Sequence, residues 1–264
     1  MRLKPVQSGV ALVAAGGALV AGTIAIAKNP PMMMAHTGAK LKVLAPKNGT
    51  TLTANALGTL VSITHFKVDC RYAGTANHKG IGHYHIHLDG ELVNMFCAPR
   101  ASVSMQNVAP GRHTFEVNPA ANDHADDMMA GKKVRFLYRP VHALPTIRPV
   151  HFAGKPSIRI LSPRNGATVH GGFDLVVQVK NLRLSCSLFG KQPISGWGHW
   201  HANVDTTTAG MMGMGTMLGM SCGRSFHVSL AGIKPGTHRF FAILQNNLHI
   251  PAFGVQAALT VNVR

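Results

Sequence analysis

Acidic residues are scarce in this chain. Nine Asp and Glu stand against 26 Lys and Arg, a net charge of +17 over 264 residues. So few carboxylates leave little material for the paired general acid and base of a hydrolytic enzyme. Aromatic residues make up only 6% of the chain and the basic residues are scattered, so no base-stacking platform for nucleic acid is indicated. There is no Gly-x-Ser-x-Gly elbow, no phosphate loop and no His-Glu-x-x-His pair, so no enzyme signature is evident. Cysteine is limited to four residues without a Cys-x-x-Cys pair, which argues against a thiolate metal knuckle. Helical periodicity is missing outside the N-terminus. What remains is a chain that is 46% hydrophobic with 28 Gly and 15 Pro, a globular and turn-rich composition.

The N-terminus sets the expected compartment. Arg2 and Lys4 precede an apolar run from Val10 to Ala27 that ends in Ala25-Ile26-Ala27. That is the layout of a secretory signal peptide at 1–27, with an uncleaved membrane-anchor helix as the alternative. Either places the rest outside the cytoplasm: secreted, periplasmic or at the cell surface. Without Arg2 and Lys4, 24 basic residues face 9 acidic ones, and such a surface attracts anionic envelope polymers or lipid headgroups. Residues 28–40 read as a flexible linker carrying Met32 to Met34 and His36.

The rest of the chain is written twice. Leu41-Lys42-Val43-Leu44-Ala45-Pro46-Lys47-Asn48-Gly49 matches Ile158-Arg159-Ile160-Leu161-Ser162-Pro163-Arg164-Asn165-Gly166. Gly80-Ile81-Gly82-His83-Tyr84-His85 matches Gly196-Trp197-Gly198-His199-Trp200-His201. Cys70 to His83 spans 13 positions, as does Cys186 to His199; His113 to His124 spans 11, as does His238 to His249. Only the middle differs, by nine extra residues in a Met-rich stretch of the second copy. Two copies of one domain follow, at 41–139 and 157–264, joined by a Pro-rich linker at 140–156. The repeat also selects the disulfides Cys70–Cys97 and Cys186–Cys222, which an exported chain can form.

Each copy reads as short strands punctuated by Gly, Pro and Asn. The first set is Leu60 to Val68, His83 to Leu88, Ala101 to Gln106, Arg112 to Val117 and Val134 to Tyr138. The second is Phe173 to Leu182, His199 to Val204, Ser225 to Leu230, His238 to Leu244 and Val255 to Val263. The expected fold is all-β, two tandem immunoglobulin-like β-sandwiches.

Alternate residues on a strand share a face. His83 and His85 therefore point together, as do His199 and His201, each pair forming half of a transition-metal site for copper or zinc. His124 and His249 are the candidates for third ligands. His87 is optional, because Asn203 replaces it. His113 and His238 read as buried structural histidines, or else as supports behind the ligands. Asp89 and Asp205 read as mainly structural, Asp89-Gly90 being a hairpin turn; orienting a metal-bound histidine is the alternative. Met211, Met212, Met214, Met217 and Met220 form either a soft-metal loop or an adaptable apolar one.

These positions resemble an uncharacterised family of exported bacterial domains with a Gly-His-His-His-Leu-Leu-Ile-Asp motif and a terminal Asp-x-x-His-x-Pro. The match runs through His83, His85, Asp89, Pro110, Gly111, His113 and His124, and through His199, His201, Asp205, Pro235, Gly236, His238, His249 and Pro251. The family's middle histidine is Tyr84 here and Trp200 in the second copy. The Pro-x-Asn-Gly opening is similar to that of copper-resistance carrier proteins, and the His-x-His strand beside a disulfide to that of copper–zinc superoxide dismutase. The expectation is an exported, non-catalytic protein with one His-based metal site per repeat. The alternatives are a basic envelope or adhesion module with structural histidines and a dismutase-like redox enzyme.

Overall fold

The Asn-Gly turns that open each copy clip two strands together. Asn48 Oδ1 accepts from the Arg135 amide at 2.9 Å, and Asn165 Oδ1 from the Thr260 amide at 2.8 Å. From those turns onward the two copies build the same structure. The computed structural model describes residues 35–251 and 253–264, with the backbone alone at Met211 and Met212. The expected signal peptide or anchor at 1–27, and the lead as far as Met34, lie outside the described residues.

The first copy contains β1 (Lys40–Ala45), β2 (Thr50–Leu52), β3 (Ala56–Thr64), β4 (Lys67–Val68), β5 (Ile81–Leu88), β6 (Glu91–Phe96), β7 (Arg100–Ser104), β8 (Gly111–Ala120) and β9 (Lys132–Tyr138). The second contains β10 (Ser157–Ser162), β11 (Ala167–Val169), β12 (Gly172–Lys180), β13 (Arg183–Leu184), β14 (Trp197–Val204), β15 (Met217–Ser221), β16 (Ser225–Ser229), β17 (Gly236–Gln245) and β18 (Gln256–Val263). In each copy a three-stranded sheet, β1-β3-β7 or β10-β12-β16, faces a six-stranded one. The larger sheets run β2-β9-β8-β5-β4 with β6 on β5, and β11-β18-β17-β14-β13 with β15 on β14. The architecture is an all-β tandem of two sandwich-like units. Among the described residues no helix is long and apolar enough to cross a membrane.

Two expected strands are cut short. Leu60 to Val68 divides where His65 adopts φ 61°, and Phe173 to Leu182 ends at Lys180, before Asn181 at φ 56° and β13 beyond it. The left-handed residue breaks the extended run, and the chain passes there from the small sheet (β3, β12) to the large one (β4, β13). The strands β6 and β15 complete the large sheets and have no counterpart in the sequence expectation.

Each core lies between its two sheets. Tyr84, Ile86 and Leu88 of β5 pack with Phe115, Val117 and Phe136, while Trp200, Ala202 and Val204 of β14 pack with Phe240, Ala242 and Leu244. Period-2 alternation then sends the histidines of β5 and β14 to the opposite face. On that face His83, His85, His199 and His201 are nonetheless buried. The two copies form one compact unit, and residues of the second copy, Phe189 and Met220, join the core of the first.

Both disulfides form with the expected pairing, at Cα separations of 5.6 and 5.3 Å. The end of the expected flexible lead is held instead: the Ala35 amide donates to Asp126 O at 3.0 Å, and Thr37 donates twice to Asp127 Oδ2. The Pro-rich connector has no strand but is tied down along its length, by Asn55 to the His142 carbonyl, Trp197 to the Arg148 carbonyl and Asn181 to the Lys155 carbonyl.

Candidate metal centre

Gly82 and Gly198 make the histidine strands possible. A Cβ at Gly82 would collide with the Ala120 carbonyl, and one at Gly198 with the Gln245 carbonyl, so the neighbouring strand can approach closely only where a side chain is lacking. Beyond these glycines, His83 and His85 project from β5 toward His124, which sits on the turn after β8. His199 and His201 project from β14 toward His249, on the turn after β17.

The first triad is tight. His83 Nε2 lies 3.0 Å from His85 Nε2 and 3.0 Å from His124 Nδ1, and the last two are 3.2 Å apart. In the second triad the corresponding separations are 3.0, 2.9 and 3.3 Å. All six side chains are buried, none more than 7% exposed. Three nitrogens with these spacings are what an ion bound at about 2.0–2.1 Å to each imidazole would require, with inter-ligand angles of roughly 100°.

The outward nitrogens fix which atoms face the centre. His85 Nδ1 donates to Asp126 Oδ1 at 2.7 Å. His124 Nε2 donates to the Met217 carbonyl at 2.7 Å. With their protons on those atoms, His85 Nε2 and His124 Nδ1 present lone pairs toward each other. His249 does the same in the second triad, its Nε2 donating to the Leu92 carbonyl at 3.0 Å. His83 Nδ1 and His199 Nδ1 are buried without a partner.

Burial disfavours a second ring proton on five of the six histidines. Burial, reinforced by neighbouring histidines, holds His83, His199 and His201 well below the usual histidine range. Burial takes His124 down to about 3 and His249 to about 4. The neutral imidazole is the form that binds metal. His124 and His249 also adopt φ of 63° and 60°, a conformation rare for a side chain of this size, and it is kept in both copies.

The supports of the third histidines are exchanged between the copies. Met217 begins β15 of the second copy and holds His124 of the first; Leu92 lies in β6 of the first and holds His249 of the second. The two are equivalent, since Leu92 pairs with His87 and Met217 with Asn203. Two glycines press on these same residues. A Cβ at Gly74 would come within 2.6 Å of Met217 C and O, and one at Gly190 within 2.7 Å of Leu92 O. The contact is therefore reciprocal, as in a two-fold dimer, though both partners belong to one chain.

The remaining sequence candidates separate from the triads. His113 places Nδ1 2.7 Å from Asp89 Oδ2 and Nε2 2.9 Å from the Ala109 carbonyl; His238 makes the same pair of contacts with Asp205 Oδ2 and the Lys234 carbonyl. Asp89 and Asp205 also receive the Thr114 and Arg239 amides. These four residues brace the strand ends and share no hydrogen bond with the triad histidines. Asp89-Gly90 turns the β5–β6 hairpin with φ of 54° and 92°. Met214 and Met217 are buried, and Met217 serves His124 through its carbonyl. Tyr84 and Trp200 point into the cores and bond the Ala98 and Gly223 carbonyls; a ligand could not act from that position on this fold.

Asp126 and His87 were missed or set aside by sequence reasoning. Asp126 Oδ2 lies 3.2 Å from His87 Nε2, near enough for charge attraction though not aligned for a hydrogen bond. Burial pushes the Asp126 carboxyl up, but His85 and His87 outweigh it and hold it well below the usual carboxylate range. Comparing the copies hides this pair, because the second has Pro251 and Asn203 at the equivalent positions.

No protein-family model matches the chain, and no curated protein does. Among solved structures, the fibronectin(III)-like modules of Clostridium thermocellum CbhA align over 84% of this chain and 92% of theirs at 11% identity, with a TM-score of 0.27. The N-terminal four Ig domains of Dscam1 isoform 4.44 align over 86% and 46% at 10% identity and a TM-score of 0.24. Bacteroides ovatus SGBP-B, solved with a mixed-linkage heptasaccharide, aligns over 85% and 70% at 9% identity and a TM-score of 0.25. Likeness at this level carries no argument about activity, and what the chain itself displays is a tandem repeat with one buried tri-histidine cluster in each copy.

Proposed function

We propose that this is an exported, non-catalytic binding protein that holds one transition-metal ion of the copper or zinc class in each repeat, through His83, His85 and His124 and through His199, His201 and His249. The observation that carries this reading is the convergence of three ring nitrogens at 3.0–3.2 Å with two outward protons already committed to Asp126 and Met217. Two lone pairs facing each other in a buried space repel, and a cation at the centre satisfies all three nitrogens at once. Burial of all the ligands favours retention over turnover, since catalytic ions keep an open position for substrate. Export is supported by the signal-like N-terminus and by the two disulfides. Each unit is read as immunoglobulin-like on its short, mainly antiparallel strands and two facing sheets.

The test is metal content of the tag-free mature chain after loading with copper(II) or zinc(II) and removal of excess ion. Two ions per chain are expected, falling to one in His83→Ala and one in His199→Ala. A chain that retains no ion after loading ends this reading. The mature net charge of +15, 24 basic residues against 9 acidic, favours a second activity, adhesion to anionic envelope polymers; it predicts polyanion binding that weakens with salt and is indifferent to chelators.

A further inference from the structure

The two copies agree in every inner ligand and differ just outside. In the first, His85 bridges two clusters: its Nε2 belongs to the triad, and its Nδ1 bonds Asp126, whose other oxygen faces His87. His87 and Asp126 are partly exposed, with side chains at 17% and 16%, whereas the triads are sealed. His87 Nε2 has no hydrogen-bond partner. Just beyond, Met128 and Met129 are exposed. One imidazole ring thus separates the buried triad from a second nitrogen and carboxylate, on side chains that reach the surface although His87 Nε2 itself is covered; imidazole and carboxylate are donor types that a divalent ion accepts.

The second copy has closed this route. Asn203 replaces His87 and spends its amide on the Gly213 carbonyl at 2.7 Å and on Thr216 Oγ1 at 3.3 Å. Thr216 Oγ1 in turn donates to the Thr206 carbonyl. These bonds pin the nine-residue insertion. Pro251, which has no donor or charge, stands where Asp126 does. Among the described residues neither a carboxylate nor a free imidazole connects the second triad to the surface.

Resting on the metal-binding reading above, we propose that His87 and Asp126 form an outer exchange site through which ions reach and leave the first triad, and that the second triad lacks one. The protein then carries two unlike ions, one exchangeable and one held. An incoming ion is taken by His87 Nε2 and Asp126 Oδ2, the oxygen not bonded to His85, then passes to the three inner nitrogens as its remaining waters leave. Asp126 keeps its hydrogen bond to His85 throughout, so the inner ligand stays oriented.

The experiment loads the full mature chain with two equivalents of zinc(II) and follows its release to an excess of a chromophoric chelator. Two phases of one ion each are expected, the faster at least about tenfold ahead of the slower. His87→Asn installs the side chain found in the second copy. It should leave two ions bound and slow the fast phase at least about tenfold, toward the slow one. His199→Ala should remove the slow phase alone. Release of both ions at one rate, an unaltered fast phase in His87→Asn, or loss of an ion in that variant would each overturn the proposal while leaving the metal-binding reading standing. Zinc absent from the wild-type chain after loading would overturn both.

Discussion

Lys191 shows how closely the two copies fit. Its side chain is 6% exposed and its Nζ has no partner. Burial drives its pKa down to about 8, and the distant Asp89 carboxylate offsets only part of this. A lysine with a folded pKa below its unfolded value destabilises the fold fully below the folded value, and the penalty disappears as pH rises toward the unfolded one. Lys191→Met should therefore raise stability at pH 7 by about 2–3 kcal/mol. Its advantage should shrink between pH 8 and about 10.5. Urea unfolding of the two chains across that range checks both the size and the sign; a constant difference would mean that packing, not charge, sets it.

At the scale of elements, the glycines after the two short 3-10 turns that carry disulfide cysteines, Cys70–Tyr72 and Cys186–Leu188, decide how closely the strands of one copy approach the other. Gly74 and Gly190 have φ of 73° and 66° and no room for a methyl group. Gly74→Ala should cost about 2–4 kcal/mol, backbone strain plus overpacking, and weaken ion binding at the first triad, because Met217 would be displaced from His124. Gly190→Ala should do the same to the second triad through Leu92. Gly166→Ala is the control: its φ is 80° but a methyl group there meets nothing within 4 Å. An equal loss of metal in the control would mean that backbone strain, not the contact, carries the effect. Thermal melts with and without zinc(II) give both quantities.

The same contacts explain what could be read from the sequence. Period-2 alternation and the doubled spacing were enough for the strand cores, the facing histidines and the disulfide pairing, because those depend on local pattern and on residues kept in both copies. Asp126 escaped because it occurs in one copy only. The supports of His124 and His249 escaped for a deeper reason: they are backbone carbonyls, and any residue at Met217 or Leu92 supplies one. The short strands β6 and β15 were hidden because Glu91 to Phe96 and Met217 to Ser221 do not alternate cleanly between apolar and polar residues; pairing with β5 and β14 shapes them more than propensity does.

For the whole molecule, the crossed support of His124 by Met217 and of His249 by Leu92 means that neither half owns a finished site. The connector at 140–156 is then a matter of assembly rather than of cohesion. A protease that cuts it in the folded, zinc-loaded chain should leave two fragments that travel together in gel filtration and keep both ions. Stripping the metal from the cut form should lower the temperature at which the fragments part. Fragments that separate while still loaded would show that the tether, not the shared histidine layer, keeps the halves in register. If they stay joined, the molecule behaves as a dimer whose partner can never be lost by dilution.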